Sequence, residues 1–179
     1  AALSVFLVER GAPGLAVGRA IDKAGVRASP TAELFLEDTP ATCMLGASGA
    51  GMGYLKEILA EIRVATAALA LGVARAAYQD ALAYARERRA SGKPIREHQA
   101  VAAHLAEMAV DLEAARRLTY WAAWRSDQKL ANATEASMAK LFASEAAVRI
   151  CDRASRVLAS YGFATDSPVE RYLRDVRFT

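Results

Sequence analysis

Ile58-Leu59-Ala60-Glu61-Ile62-Arg63-Val64-Ala65-Thr66-Ala67-Ala68-Leu69-Ala70-Leu71-Gly72-Val73 is the stretch on which the fold turns. Ile58, Ile62, Ala65, Leu69 and Val73 fall at spacings of 4, 3, 4 and 4, the repeat of one face of an α-helix. The same stripe continues downstream. Val101, Leu105, Met108, Leu112 and Ala115 repeat it, and so do Met138, Leu141, Val148 and Cys151. Gly92 and Pro94 separate the first helix from the second, and Asn132 and Thr134 stand where capping residues open a third. Tyr161-Gly162 closes the third helix, and Pro168 opens a short fourth. The first two helices are expected to run roughly 30 residues, about 45 Å each. Long helices with short connections pack as an antiparallel bundle.

Before Met52 the period differs. Leu3-Ser4-Val5-Phe6-Leu7-Val8 is a short β-rich run bounded by Gly11-Ala12-Pro13-Gly14. Leu15 to Val17 and Glu33 to Leu36 read as further strands. Three strands make a marginal sheet by themselves, so residues 1–47 are expected to be the end of a larger antiparallel β domain. Residues 48–179 are expected to form a helical domain. The fold class is therefore mainly α, a bundle preceded by a β remnant.

Composition narrows the function. Of the 179 residues, 54% are hydrophobic and 24% charged, a globular balance in which much of the apolar share is alanine. The net charge of +3 is spread, as in Arg86-Glu87-Arg88-Arg89, with no basic block for nucleic acid. No run approaches 18 uncharged apolar residues, so no membrane insertion is expected. Two distant cysteines make no disulfide framework, which points to a reducing compartment and a cytoplasmic protein. Two histidines leave no metal cluster. Trp121 and Trp124, three apart on one helix face, read as core or subunit interface.

Several stretches together resemble the acyl-CoA dehydrogenase family. Phe6-Leu7-Val8-Glu9-Arg10-Gly11-Ala12-Pro13-Gly14, Asp22 to Ser29 and Glu33 to Asp38 resemble the end of that family's middle β domain. Gly46 through Gly53 resembles the glycine-rich entry to its C-terminal helices. Glu87-Arg88, Gly92, Pro94-Ile95 and His98-Gln99 resemble its Glu-Arg, Phe-Gly, Pro-Ile and His-Gln series, and Gly162-Phe163, Asp166, Arg171 and Asp175 its final signature. The resemblance implies an N-terminal helical domain, a middle β domain and a C-terminal four-helix bundle, assembled as a homodimer or homotetramer. It implies FAD as cofactor, an acyl-CoA thioester as substrate and an electron-transfer flavoprotein as acceptor.

It also implies roles. Arg88 matches an arginine on the FAD diphosphate of a neighbouring subunit, a fit for a guanidinium fork on phosphate oxygens. Gln99 matches a glutamine near the adenosine, and Arg63 an arginine lining the CoA side of the cleft. The family's Phe-Gly is Ser91-Gly92 here, and its Asp three residues before the cleft arginine is Ala60. Its Gln, two residues, Gly-Gly is Arg156-Val157-Leu158-Ala159-Ser160. The glycines let backbone amides approach the diphosphate. Arg156 either supplies charge to the same phosphates or closes the site, and Ser160 lies beside it.

Desaturation needs a carboxylate to take the α proton. The resemblance places that glutamate just after the segment ending at Thr179. In a minority of the family it sits where Ile62 stands here, and Glu61 is off by about 100°. No catalytic residue is therefore expected within residues 1–179. Two alternatives stand beside desaturation: a flavin-dependent monooxygenase or oxidase on the same fold, and a non-catalytic subunit completing a partner's FAD site.

Overall fold

The structure is a computed structural model that describes residues 3–179. Backbone contacts divide the chain into a unit ending at Leu59 and a unit from Ala60 to Thr179.

The first unit holds four short strands, β1 (Val5–Leu7), β2 (Leu15–Ala20), β3 (Ala32–Leu36) and β4 (Cys43–Leu45). β1 pairs antiparallel with β4, Phe6 opposite Met44, and β2 pairs antiparallel with β3, Ala16 opposite Phe35. The three strands read from the sequence are present. β4 was not legible, because three residues are too few to show alternation. β2 runs on through Gly18 to Ala20, and its register with β3 shifts between Val17 and Ala20. No strand residue is buried among the described residues of this unit. Its order comes from the backbone: the Gly51 N–H donates to the Leu3 carbonyl at 2.8 Å, and the Gly49 N–H donates to Ser4 Oγ at 3.0 Å.

The second unit is helical. α1 (Gly51–Glu87) enters it at Ala60 and ends in a small hairpin, β5 (Arg89–Ala90) with β6 (Lys93–Pro94). α2 (Gln99–Asp127) runs back, α3 (Ala133–Leu158) returns, and α4 (Pro168–Asp175) crosses the end, with Pro168 in its first turn. Among the described residues no helix is long and apolar enough to cross a membrane, and no group of three or more His, Cys, Asp and Glu is placed to hold a metal.

The core is built mostly from alanine. On α1 it is Ala67, Ala70, Ala74, Ala77, Ala81 and Ala85 that are buried, facing Met108 and Leu105 of α2 and Ile150 and Cys151 of α3. This corrects the stripe read on α1: Ile58, Ile62 and Leu69 are half exposed. Residues 64–74 carry no charge on any side of the helix, so periodicity alone could not say which apolar face turns inward. The methyl groups do so, while Ile58, Ile62 and Leu69 face out and Val64, Leu71 and Val73 pack at the edge of the core. On α3 Met138 and Leu141 are likewise exposed while Ala136, Ala139 and Ala143 are buried. The stripe on α2 holds, with Leu105, Met108 and Ala115 buried. Trp121 and Trp124 lie on the exposed side of α2.

Between α2 and α3 runs an ion-pair network. Arg149 holds Asp111 with two hydrogen bonds, at 3.0 and 3.1 Å, and Arg153 reaches Asp111 at 3.3 Å and Glu107 at 2.7 Å. A forked guanidinium contact of this kind fixes the register of two helices as well as their approach.

Candidate functional site

Five of the six residues singled out from the sequence gather at one end of the helical unit. α1 ends there, α2 begins there, and α3 ends there. The Tyr84 ring on the last turns of α1 lies 6.1 Å from the ring of Tyr161, in the 3-10 turn Ala159–Phe163 after α3.

Arg88 is the first residue beyond α1. Its backbone is tied on both sides, the N–H donating to the Tyr84 carbonyl and the carbonyl accepting from the Ile95 N–H, each at 2.8 Å. Its side chain is exposed and makes no hydrogen bond or ion pair among the described residues. Ser91 and Gly92 form the tip of the β5–β6 hairpin, with φ of +49° and +82°. That pair of left-handed residues is what a two-residue type I′ turn requires. The hairpin is buttressed from α2: His98 Nε2 lies 3.1 Å from the Ala90 carbonyl, a contact in which the ring nitrogen donates. Gln99 opens α2 with its side chain exposed and unpaired among the described residues.

Arg156 sits in the last turn of α3, 66% exposed, and pairs with Asp152 one turn earlier at 2.9 Å. Exposed pairs spaced four apart on a helix contribute about 0.3–0.5 kcal/mol, so this contact holds the guanidinium only loosely. Ala159 follows with φ +53° and ψ −125°. That region is populated almost only by glycine, and holding another residue there costs on the order of 1–3 kcal/mol. The chain therefore holds an alanine in a backbone conformation that favours glycine. What holds it is the turn behind: a Cβ on Gly162 would lie 2.4 Å from the Ser155 carbonyl, and the Ser155 hydroxyl donates to the Gly162 carbonyl at 3.2 Å. Arg156, Ala159 and Ser160 share a depression of about 430 Å³ with Asp152, Phe163 and Leu173.

Arg63 stands apart. It is 25 residues before Arg88 on one continuous helix, about 38 Å along the axis, so one dinucleotide does not touch both. Arg63 is half buried and has no ion pair among the described residues. The position for a carboxylate partner, Ala60, is itself buried. Glu61 accepts a hydrogen bond from Ser126 Oγ at 2.5 Å and so ties α1 to α2. Ile62 offers no base.

A groove of about 520 Å³ between α1 and α2 holds none of these six residues. Val64, Leu71, Gly72 and Leu112 line it, and its carboxylate, Glu113, is bound by Arg116 and Arg117, which hold it below the usual carboxylate range. With its acid committed and its floor apolar, it is an uncovered helix face, not a centre for chemistry. The donors that suit a diphosphate are at the hairpin end: the free guanidinium of Arg88, the loosely held one of Arg156, the Ser160 hydroxyl and the opened backbone at Ala159.

Comparison with known proteins identifies the family to which this helical unit belongs. Residues 49–179 match the family described as acyl-CoA dehydrogenase, C-terminal domain. Benzylmalonyl-CoA dehydrogenase of Aromatoleum aromaticum is 54% identical over 180 residues, which are 99% of this chain and 48% of that protein. The structure of butyryl-CoA dehydrogenase from Megasphaera elsdenii superposes with a TM-score of 0.93 at 37% identity, over 98% of this chain and 46% of that one. The structure of PigA with FAD and proline does so with a TM-score of 0.93 at 29% identity, over 97% and 46%. The chain thus spans about half the length of the relatives it matches. With a helical unit of this architecture and a match over most of its residues, the chain belongs to the acyl-CoA dehydrogenase family.

Proposed function

We propose that the protein is an FAD-dependent acyl-CoA dehydrogenase that introduces an α,β double bond into an acyl-CoA thioester. The observation that carries the reading is the placement of Arg88, Gln99, Arg156 and Ser160 at one end of the helical unit, within a family match that covers them all. Bound FAD supplies the acceptor for the β hydride.

The chain's own residues bind and orient. Arg88, with no carboxylate paired to it among the described residues, presents its fork of donors to a diphosphate. The Gln99 amide both donates and accepts, which suits an adenine edge. Ser91, Arg156 and Ser160 complete the cofactor side. Arg63, about 38 Å away along α1, serves the acyl-CoA side, and so the two ends of α1 serve two sites. That division is what a homodimer or homotetramer provides when each subunit lends its hairpin end to a neighbour's flavin. Ile62 is apolar and Glu61 is engaged by Ser126, and the family resemblance assigns proton abstraction to a carboxylate that would follow Thr179. We assign the boundary between the β and helical domains to residues 47 and 48, just ahead of α1, whose first turns the backbone contacts group with the strands. An electron-transfer flavoprotein takes the electrons, and the cytoplasm is the compartment.

The test is the visible spectrum of the full-length protein. Flavin bands near one per subunit, bleached anaerobically by butyryl-CoA or an aromatic acyl-CoA, are the expected result. A colourless protein that takes up no added FAD rejects the reading. Flavin that stays oxidised with every acyl-CoA yet is reduced and reoxidised with a substrate carrying no CoA points to an oxidase on the same fold.

A further inference from the structure

Three arginines line the same side of α3 near its end, and they are not equivalent. Arg149 and Arg153 are locked across the helix interface, the first by two hydrogen bonds to Asp111 and the second by Asp111 and Glu107 together. Their side chains are 42% and 23% exposed. Arg156 is 66% exposed, and its partner, Asp152, lies on its own helix and is 49% exposed. Among the described residues Arg156 makes no hydrogen bond or ion pair to another helix.

Arg156 also stands between two depressions. On one side lie His104, Glu107, Arg149, Asp152 and Arg153, around about 250 Å³. On the other lie Ser155, Ala159, Ser160, Phe163 and Leu173, around about 430 Å³. The second contains the glycine-like backbone at Ala159 and the Ser160 hydroxyl, and Asp152 is common to both. A guanidinium whose one ion pair among the described residues is with Asp152, at the wall between them, reaches either side by rotating its own side chain.

We infer that Arg156 is a diphosphate clamp held in reserve by Asp152: it stays on Asp152 while the site is empty and moves onto the phosphates of the flavin when the cofactor binds. This rests on the FAD reading above and assigns Asp152 a positioning role in it. An exposed pair one turn apart is a weak competitor, whereas a forked contact to a doubly charged diphosphate is charge-assisted on both donors. The clamp therefore closes on the stronger anion. The family's glutamine at this position carries no charge, so cofactor binding in this protein acquires a salt dependence that a neutral amide does not give.

Two variants separate the clamp from a merely structural pair, because the clamp requires their effects to have opposite signs. The full-length protein is stripped of flavin, and FAD is titrated back by quenching of its fluorescence, at low and at high salt. Arg156→Gln is expected to weaken FAD about ten- to hundredfold and to flatten the salt dependence. Asp152→Asn is expected to tighten FAD about twofold by freeing Arg156. Arg156→Lys, which keeps the charge without the fork, falls between wild type and Arg156→Gln. If both variants weaken binding alike, the pair only braces the end of α3 and the inference is wrong. It is equally wrong if neither changes FAD affinity. Butyryl-CoA affinity is measured beside it. A loss there with FAD unchanged moves the diphosphate from the flavin to CoA and overturns the assignment. A wild-type protein that binds no FAD rejects the FAD reading itself, a result distinct from wild-type binding that the variants leave untouched.

Discussion

The rings of Tyr84 and Tyr161 meet at 6.1 Å between centroids with their planes 58° apart, and through them the end of α1 is held to the turn that follows α3. This is the contact that joins the Arg88 hairpin to the Arg156–Ser160 turn, so stability and site geometry share it. Tilted aromatic pairs contribute about 0.5–1.5 kcal/mol beyond their buried area. A double-mutant cycle on Tyr84→Ala and Tyr161→Ala, read by urea unfolding, is expected to return a coupling of that size. Tyr84→Ala is the costlier single change, because Tyr161 is 58% exposed. Strict additivity would mean that the two rings merely lie near each other.

Ala159 carries strain that a single atom group accounts for. Its Cβ is what makes φ +53° with ψ −125° costly. Ala159→Gly removes the clash and adds some freedom to the unfolded chain, effects of opposite sign. The first is the larger, so the variant is expected to gain about 1 kcal/mol, or about 2–4 °C in Tm for a chain of this size. A fall in Tm would show that the turn relaxes away from this backbone in solution.

The two thiols report on the core. Cys43 is exposed and Cys151 is buried, where burial pushes its pKa from 9.0 up to about 12. Ellman's reagent at pH 8 is expected to reach Cys43 in the native protein and Cys151 only in denaturant. The raised folded pKa sets the sign of an alkaline effect. The stability contributed by keeping this thiol neutral is complete below pH 9 and is lost as the pH rises toward 12. Cys151→Ala should therefore flatten the alkaline limb of a stability profile between those values. An unchanged slope would mean the thiol is not buried in solution.

Helix number and helix order were legible in the sequence because each is a local matter of period and of Gly and Pro placement. The caps were not: Asn132 precedes α3 without a side-chain capping bond, Thr134 lies inside the helix, and α3 ends at Leu158, ahead of Tyr161-Gly162. Nor was the inward face of α1. Ile58, Ile62 and Leu69 are the more hydrophobic set, yet the alanines at 67, 70, 74 and 77 are the ones covered. Which face packs is decided by the helices opposite, and Met108 and Ile150 fill the space the methyl groups leave. The candidate site was legible residue by residue through its resemblance to a family. The weak hold on Arg156 was not, since it depends on Asp111 and Glu107 having already taken the other two arginines of α3. Nor does any spacing rule reveal that Ala159 adopts a glycine backbone.

Ser91 offers the same test in a hairpin. With Gly92 it supplies the two left-handed residues of the β5–β6 turn, and the Arg89 Nη2 donates to the Gly92 carbonyl at 2.7 Å to close it. A left-handed residue with a Cβ costs roughly 1–2 kcal/mol, and asparagine escapes most of that through local hydrogen bonding. Ser91→Asn should therefore stabilise by a few tenths of a kcal/mol, about 0.5 at most, while Ser91→Val should cost about 1–2 kcal/mol. Because the turn fixes the strands that set Arg88 and His98, Ser91→Val is also expected to weaken FAD, although Ser91 itself is exposed. Thermal unfolding that ranks asparagine above serine above valine is the signature of a turn held left-handed. Equal melting of the serine and valine proteins would mean that the hairpin opens in solution and that Arg88 is placed by α1 alone.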